Sequence, residues 1–175
     1  PVENAKSLDN VFRRWVHNPK KILKDYVKED MTVLDLGCGP GFFSTDMAKM
    51  VGKTGKVIAA DLQEGMLEKV KNKIEGTEIE KSIKLHKCEK DKIGISEKVD
   101  FILAFYMVHE IENQKSFFEE IKSILKPEGK MFIIEPKFHV SKKAFEQTID
   151  IAEETGLKLL KTEKVFFSRA IVLKN

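Results

Sequence analysis

Short apolar runs alternate with amphipathic segments along most of the chain, and this alternation predicts an α/β fold. Runs typical of buried strands lie at 32–36, 56–61, 82–87, 99–105 and 130–136. Apolar positions with helical spacing lie at 42–51, 64–74, 114–125 and 141–155. Strands separated by helices imply a doubly wound, mostly parallel sheet with helices on both faces.

The two ends of the chain depart from this alternation. Residues 157–174 alternate apolar and polar positions with no helix between, which predicts two strands paired as an antiparallel hairpin at the sheet edge, for seven strands in all. Residues 8–28 predict one or two amphipathic helices broken near Asn18 and Pro19. We therefore treat 1–30 as an N-terminal helical segment. No repeat or linker interrupts the pattern, so we expect one domain over residues 1–175.

Composition narrows the class of protein without identifying it. Of the 175 residues, 42% are hydrophobic and 34% are charged, which is typical of a globular domain able to bury a core. No apolar run approaches the roughly 18 residues of a membrane span, and no basic segment precedes an apolar one near Pro1. We expect neither a secretory signal nor a membrane partner. Whether residues precede Pro1 in the full-length protein is left open.

Charge and cysteine content argue against a nucleic-acid-binding protein and against a zinc protein. Lys and Glu alternate along most predicted helices and the formal net charge is +3, which indicates solvated faces and argues against a nucleic-acid partner. Cys38 and Cys88 form no CxxC pair, and no nearby His completes a zinc site. We expect two reduced thiols, no metal and a cytoplasmic location.

The most informative segment is Val33-Leu34-Asp35-Leu36-Gly37-Cys38-Gly39-Pro40-Gly41, in which three glycines at alternate positions follow a strand and precede a helix. Glycine lets the backbone turn sharply and lets a ligand lie against it. A tight strand-to-helix connection that binds nothing would use the same residues. The turn alone therefore leaves both interpretations open.

Two acidic residues favour a ligand at this turn. Asp61 ends the second strand about twenty residues beyond the glycines, where a doubly wound fold presents a carboxylate to a cofactor ribose. Asp35 lies inside the first apolar strand, where an acid is costly unless it is paired or hydrogen-bonded. Asp35 is either a structural aspartate bonded to the backbone or a carboxylate that attracts a cationic ligand.

The spacing of the glycines argues against a nicotinamide cofactor. Dinucleotide folds use G-x-G-x-x-G, so that a helix N-terminus meets the pyrophosphate. The third glycine of that pattern would fall at Phe42, and the turn here is G-x-G-x-G. S-adenosylmethionine has no phosphate but carries a ribose, an ammonium group and a sulfonium, which suit a compact glycine turn flanked by acids.

At these residues the chain resembles the class I S-adenosylmethionine-dependent methyltransferases. It is most similar to the small-molecule branch that includes the ubiquinone and menaquinone biosynthesis C-methyltransferases. The resemblance runs from about Pro19 to Glu135 and is carried by VLDLGCGPGFFS, VGKTGKVIAADLQEGMLEKVKNK, VDFILAFYMVHEI and ILKPEGKMFIIEP. It implies a Rossmann-like fold, S-adenosyl-L-methionine as cofactor and methyl transfer to a small-molecule acceptor by in-line displacement.

The resemblance also implies a cofactor site, position by position. The implied residues are Asp35, Gly37, Cys38, Gly39, Gly41, Asp61, Leu62, Met66, Cys88, Glu89, Ala104 and Phe105. Asp61 would bind the ribose hydroxyls, Leu62 and Met66 would enclose the adenine, and Asp35 would orient the amino group. The main chain at Gly37–Gly39 and Ala104–Phe105 would contact the methionine part. The chain departs from its relatives at Cys88-Glu89, where many carry an aspartate that binds the adenine amino group.

Two residues after the fourth strand are the candidates for chemistry. His109 follows the strand at the edge where ligands of open α/β sheets bind, and histidine suits proton transfer near neutral pH. It would act as a general base, or it is structural and alignment alone drives the transfer. Tyr106 would line the acceptor pocket or simply pack. His139 lies on a loop where relatives contact substrate, although an exposed loop histidine explains it as well.

Several alternatives to a small-molecule methyltransferase stay open. The chain could methylate a protein or RNA, or could bind the cofactor without turnover. A deep apolar pocket would favour a small acceptor and a broad basic face would favour RNA. In relatives the N-terminal segment often covers the cofactor, so Phe12 and Trp15 form a lid or pack on the sheet. We expect a monomer or homodimer.

Overall fold

The computed structural model describes residues 18–175. Its first helix, α1 (Pro19–Leu23), begins at the predicted break. The Asn18 side chain caps it by accepting a hydrogen bond from the Lys21 amide at 3.2 Å, and proline occupies the first turn, where its missing N–H costs nothing. Phe12 and Trp15, predicted either to form a lid or to pack on the sheet, lie outside the described residues.

Beyond α1, strands and helices alternate as the sequence predicts. The strands are β1 (Thr32–Leu36), β2 (Lys56–Asp61), β3 (Ile83–Lys87), β4 (Val99–Phe105), β5 (Leu125–Pro136), β6 (Lys158–Glu163) and β7 (Ser168–Lys174). The helices are α2 (Ser44–Val51), α3 (Glu64–Ile74), α4 (Gln114–Ile124) and α5 (Lys142–Glu154), with short 3₁₀ turns at Glu80–Ser82 and Val108–Glu110.

Within the described residues the strands form one sheet of seven, in the order β3-β2-β1-β4-β5-β7-β6. The pairs from β3 through β5 are parallel, and β7 runs antiparallel to both β5 and β6. The predicted doubly wound sheet with an antiparallel C-terminal hairpin is confirmed. The hairpin joins the sheet through its second strand, β7, so β6 forms the edge.

Two apolar layers cover the sheet because alternate residues of each strand point to opposite faces. One layer packs α1, α2 and α3 against positions such as Val33, Val57 and Phe101. The other packs α4 and α5 against Leu34 and Ile102, with their neighbours in β2 and β5. The central strands are therefore buried on both sides, which explains their nearly continuous apolar sequences.

The structure corrects three boundaries. Residues 24–28, predicted as helix, form a turn and an irregular stretch, and α2 begins at Ser44 rather than at residue 42. The fifth strand begins at Leu125, not at residue 130, because Leu125 leaves the helix in an extended conformation before Lys126-Pro127. It pairs with Val99, and the register then shifts before Lys130 pairs with Phe101.

The strand order places four loops at one edge of the sheet. The chain builds outward from β1 to β3 and then returns to place β4 on the other side of β1. The carboxyl ends of these strands flank a topological switch point, where open α/β sheets bind their ligands. Residues 37–43, 62–63, 88–98 and 106–113 connect or follow these strand ends.

Candidate cofactor and methyl-acceptor site

The glycine turn wraps around the carboxyl end of β2. The amides of Gly37 and Cys38 both donate to the Ala60 carbonyl, at 2.9 and 3.0 Å. Gly39 has φ +52°, a left-handed conformation that side chains rarely adopt, and an added Cβ there would meet no atom within 4 Å. The space above Gly39 is therefore open for a ligand. At Gly37, by contrast, a Cβ would lie 3.1 Å from the Met107 Cγ.

Asp61 connects the turn to the start of α3. One carboxylate oxygen accepts from the Gly39 amide and the other from the Gln63 amide, each at 2.8 Å. The Asp61 carbonyl in turn accepts from the Cys88 amide at 3.0 Å. A carboxylate oxygen can accept more than one hydrogen bond. Asp61 is thus held by two amides while keeping acceptor capacity for ligand hydroxyls.

Asp35 lies beneath the turn and is only 2% exposed. Its carboxylate accepts a hydrogen bond from the Ser44 hydroxyl at 2.5 Å. Burial raises the pKa of Asp35 to about 6, and the Ser44 hydrogen bond opposes that rise only in part. At neutral pH this buried carboxylate, which accepts from the hydroxyl and the backbone amide of Ser44, would be stabilised further by a nearby cation.

A cavity of about 420 Å³ opens at this edge. Its walls come from the ends of β1, β2 and β4, from the segment 88–93 after β3 and from the start of α4. Segment 88–93 is fixed by Glu120 of α4, whose two carboxylate oxygens accept from the Ile93 and Gly94 amides at 2.9 and 2.6 Å. A helix side chain therefore shapes the wall of the cavity.

The structure brings most of the predicted site residues to this edge, but not all into the cavity wall. The predicted residues that line the cavity are Gly37, Asp61, Leu62, Cys88, Glu89, Phe105 and Tyr106. Leu62 is 51% exposed and presents an apolar surface beside Asp61. The predicted residues outside the wall are Asp35, Cys38, Gly39, Gly41, Met66, Ala104 and His109. A Cβ at Gly41 would crowd Val70, so that glycine also serves helix packing.

The departure at Cys88 changes the chemistry of the wall. Burial raises the pKa of the Cys88 thiol to about 12, so the thiol stays protonated at neutral pH. A thiol is a weak hydrogen-bond donor and acceptor. Glu89 follows it on the same wall and is exposed, which leaves a carboxylate beside the position where relatives carry an aspartate.

Tyr106 holds a strained conformation at the end of β4. Its φ is +59°, which costs of order 1–3 kcal/mol in a residue with a side chain. The amide donates to the Ile134 carbonyl at 2.8 Å, the ring stacks on Phe105 with centroids 4.1 Å apart, and the hydroxyl lies 2.7 Å from the Ser168 Oγ. The contacts with β5 and β7 keep Tyr106 in its strained backbone conformation.

His109 follows in the 3₁₀ turn after β4 and contacts Glu135. The His109 Nδ1 lies 2.5 Å from one Glu135 oxygen, and the other oxygen accepts from the Val108 amide at 2.8 Å. The His109 side chain is 28% exposed, whereas Glu135 is almost fully buried. His139 lies nearby, with its ring nearly parallel to that of His109 and the centroids 6.2 Å apart.

Sequence reasoning missed the role of Glu135 and the contact from Ser168. The signal for Glu135 was present, because an acid at the end of the apolar run MFIIEP requires a partner, as Asp35 does. Ser168 gave no such signal, because β7 had no predicted position next to β5. His86 contacts the Ile93 carbonyl through Nε2 at 2.7 Å.

The described residues contain neither a membrane-spanning helix nor a metal-binding cluster. Within residues 18–175, no helix is long and apolar enough to cross a membrane. In the same range, no group of three or more His, Cys, Asp or Glu side chains is arranged to hold a metal ion.

A glycine turn, a strand-terminal acid and a cavity at the switch point are the features with which doubly wound sheets bind nucleoside cofactors. Comparison with known proteins makes the class specific. The model of the methyltransferase domain family matches residues 27–166, and the chain belongs to that family. Its family and fold are those of the class I S-adenosylmethionine-dependent methyltransferases, and the predicted cofactor is the one this class uses.

Individual relatives agree. A demethylmenaquinone methyltransferase of Lactobacillus johnsonii is 31% identical over 118 residues, which cover 66% of this chain and 48% of the relative. The ubiquinone/menaquinone biosynthesis C-methyltransferase UbiE of Escherichia fergusonii is 26% identical over 110 residues, 62% of this chain and 44% of the relative. The chain therefore spans about half the length of the curated relatives it matches.

Solved structures match over a larger share of the chain. A SAM-dependent methyltransferase from Aquifex aeolicus is 32% identical with a TM-score of 0.83, covering 99% of this chain and 97% of that one. Fibrillarin from Aeropyrum pernix, with natively bound S-adenosyl-L-methionine, has a TM-score of 0.67 at 14% identity over 85% of this chain and 68% of its own, and shows the fold alone.

Proposed function

We propose that this chain transfers a methyl group from S-adenosylmethionine to a small, electron-rich aromatic acceptor of the hydroquinone type. The observation that carries the proposal is the pair of hydrogen bonds by which Asp61 connects the glycine turn to α3 beside a cavity of about 420 Å³. A cavity of this size falls within the range of small-molecule and cofactor pockets.

The residues at the edge fit the chemical groups of this cofactor. Asp61 offers acceptor oxygens to two ribose hydroxyls, and the exposed face of Leu62 offers an apolar surface to the base. The turn leaves open space above Gly39, where a Cβ would otherwise project. The buried carboxylate of Asp35 supplies negative charge near an ammonium group. When bound, the cofactor supplies an electrophilic methyl group, and the chain contributes binding, orientation and exclusion of water.

The charge of the cavity favours a small neutral acceptor over RNA. Carboxylates outnumber lysines around it, with Glu89, Asp91, Glu110, Glu112 and Glu120 against Lys90 and Lys92. Lys90 is also paired with Glu112 at 3.0 Å. A phosphate backbone would be repelled from such a surface. Apolar side chains, among them Met107 and Phe117, also line it and suit an aromatic or aliphatic group.

The names of the curated relatives indicate the acceptor class. The relatives matched at 31% and 26% identity are named for methylation in menaquinone and ubiquinone biosynthesis. Ring methylation of a quinone requires the reduced form, because the hydroquinone ring carbon is nucleophilic and the quinone carbon is not. We also infer a cytoplasmic location, supported by two cysteines that are free rather than joined in a disulfide.

The test uses methyl-labelled S-adenosylmethionine and 1,4-naphthohydroquinone kept reduced under an inert atmosphere. We expect label in a methylated naphthohydroquinone and none with the oxidised naphthoquinone. With the Asp61→Ala variant we expect at least tenfold less label when the cofactor is subsaturating. A total RNA preparation and a protein extract serve as competing acceptors in parallel reactions. Label in RNA or protein, with none in the naphthohydroquinone, would contradict the proposal.

A further inference from the structure

The contact between His109 and Glu135 has the geometry of a base and the group that orients it. Glu135 ends the apolar part of β5 and is 2% exposed. Its Oε2 lies 2.5 Å from His109 Nδ1, while its Oε1 accepts from the amides of Val108 and His109 at 2.8 and 3.3 Å. Both carboxylate oxygens thus hold the same 3₁₀ turn.

This arrangement selects one tautomer of the imidazole. A carboxylate can only accept, so the nitrogen facing it must carry the proton. With Nδ1–H directed at Glu135, the neutral ring has its lone pair on Nε2, on the opposite side. Among residues 18–175, Nε2 has no hydrogen-bond partner. The side chain is 28% exposed, so the imidazole is in part open to solvent.

The charged groups around the pair do not compete for Glu135. Arg169 stands opposite Glu135 in the register of β5 and β7, but its Nε donates to the Val140 carbonyl at 3.2 Å. The exposed His139 ring lies beside His109 and donates no proton to Glu135. The exposed Glu110 follows His109 in the chain and lines the cavity. Glu135 is therefore committed to His109 and to the two amides.

The pair adjoins the cavity through neighbouring residues of the chain, although His109 does not itself line the wall. His109 is separated by one residue from Met107, and Met107 and Tyr106 both line the cavity. Asp61 and Leu62 lie at the end of β2, and β1 separates β2 from β4 in the sheet. A base after β4 would therefore lie on the other side of β1 from a ribose bound to Asp61.

We propose that Glu135 is a positioning residue that fixes His109 with a basic Nε2, and that this nitrogen removes the hydroxyl proton of a phenol or hydroquinone acceptor during methyl transfer. This inference rests on the proposed function. It restricts the acceptor to molecules with an acidic O–H. It also assigns Glu135 an effect on the His109 tautomer that is present before any acceptor binds.

The proposed methylation conserves both protons and electrons. His109 Nε2 takes the O–H proton, and the freed electron pair moves into the ring, whose carbon forms the new bond to the methyl group. The carbon–sulfur bonding pair stays on sulfur, which leaves as a thioether. The hydrogen on the methylated carbon then returns to oxygen as a proton and restores the aromatic ring, while the imidazolium, stabilised by Glu135, releases its proton to solvent.

The first test reads the tautomer directly, in the free protein, by long-range ¹H–¹⁵N correlation of the imidazoles at pH 8.5, where an imidazole is ordinarily neutral. We expect wild-type His109 to carry its proton on Nδ1. Glu135→Gln should shift population to the Nε2–H form, because an amide can donate as well as accept. The control Glu128→Gln removes an exposed carboxylate from the same strand and should change nothing. A wild-type His109 protonated on Nε2, or a pattern unchanged in Glu135→Gln, would overturn the proposal.

The second test measures single-turnover methylation of 1,4-naphthohydroquinone. Glu135→Gln should lower the rate at least tenfold with cofactor affinity unchanged within twofold, and His109→Asn should lower it further. The double variant should be no slower than His109→Asn, since Glu135 acts only through His109. Losses that multiply, or normal rates in both variants, would refute the positioning role. Absence of methylation by wild type would instead count against the proposed function, and the tautomer result would still stand.

Discussion

Replacing Asp35 by asparagine should stabilise the fold at neutral pH and weaken cofactor binding at the same time. The folded-state pKa of Asp35, about 6, lies above its ordinary value of 3.8 because burial disfavours the charged form. The folded state therefore binds this proton more tightly than the unfolded state, and stability is lost as the pH rises from about 4 through 6. The difference corresponds to about 3 kcal/mol at pH 7.5.

Asparagine removes the charge and keeps an oxygen that can accept from Ser44. Its amide group adds two donors that need partners, which offsets part of the gain. We expect Asp35→Asn to raise the free energy of unfolding by about 1–2 kcal/mol at pH 7.5, or the melting temperature by about 2–8 °C for a domain of this size. The gain should shrink towards pH 4.5, where the wild-type carboxyl is protonated in the fold.

Urea and thermal unfolding at pH 7.5 and 4.5 measure this directly. The exposed Asp150→Asn is the matched control and should stay within about 0.5 kcal/mol of wild type. Calorimetry on Asp35→Asn should show at least tenfold weaker binding of S-adenosylhomocysteine, since a charge-assisted contact contributes about 1.5–3 kcal/mol. A variant destabilised equally at both pH values would refute the argument, because it would show an ionised carboxylate that the fold stabilises.

Four further variants, at three residues, test the edge of the sheet. Asp61→Ala should lower cofactor affinity at least tenfold, as measured by calorimetry. The same change should cost about 1–3 kcal/mol of stability in thermal unfolding, because two backbone amides lose their acceptor. Gly39→Val should abolish cofactor binding, and a variant that binds normally would make the turn a mere connector. Tyr106→Gly should relieve backbone strain yet lower turnover, measured on the naphthohydroquinone. Tyr106→Phe should lower stability by about 1 kcal/mol in melts, through loss of the contact to Ser168.

The order of elements could be predicted from the sequence because the apolar periodicity agrees with the positions of helix-capping and turn residues along most of the chain. The helix at 64–74 was placed correctly, and Ser141 does cap α5, accepting from the Ala144 amide. The start of β5 could not be predicted, because the segment around Lys126-Pro127 has the composition of a turn and joins the sheet only through pairing with Val99. Tertiary pairing decided that boundary.

The cofactor side of the site was more predictable than the acceptor side. Glycines and strand-terminal acids leave a local signature, so Asp61 and the turn could be identified from neighbouring residues alone. The pairing of His109 with Glu135 joins residues 26 apart in sequence through adjacent strands. The Tyr106–Ser168 contact spans 62 residues and depends on where β7 inserts. Such contacts depend on the strand order. The sequence pattern predicts a C-terminal hairpin but not which of its two strands pairs with β5.

The most direct test of the central claim is calorimetric titration of the protein with S-adenosylmethionine, S-adenosylhomocysteine and NADH. We expect one site per chain for each of the first two ligands and none for NADH, with affinity lost in Gly39→Val while the far-UV circular dichroism spectrum is unchanged. Binding of NADH without binding of either methionine derivative would contradict it.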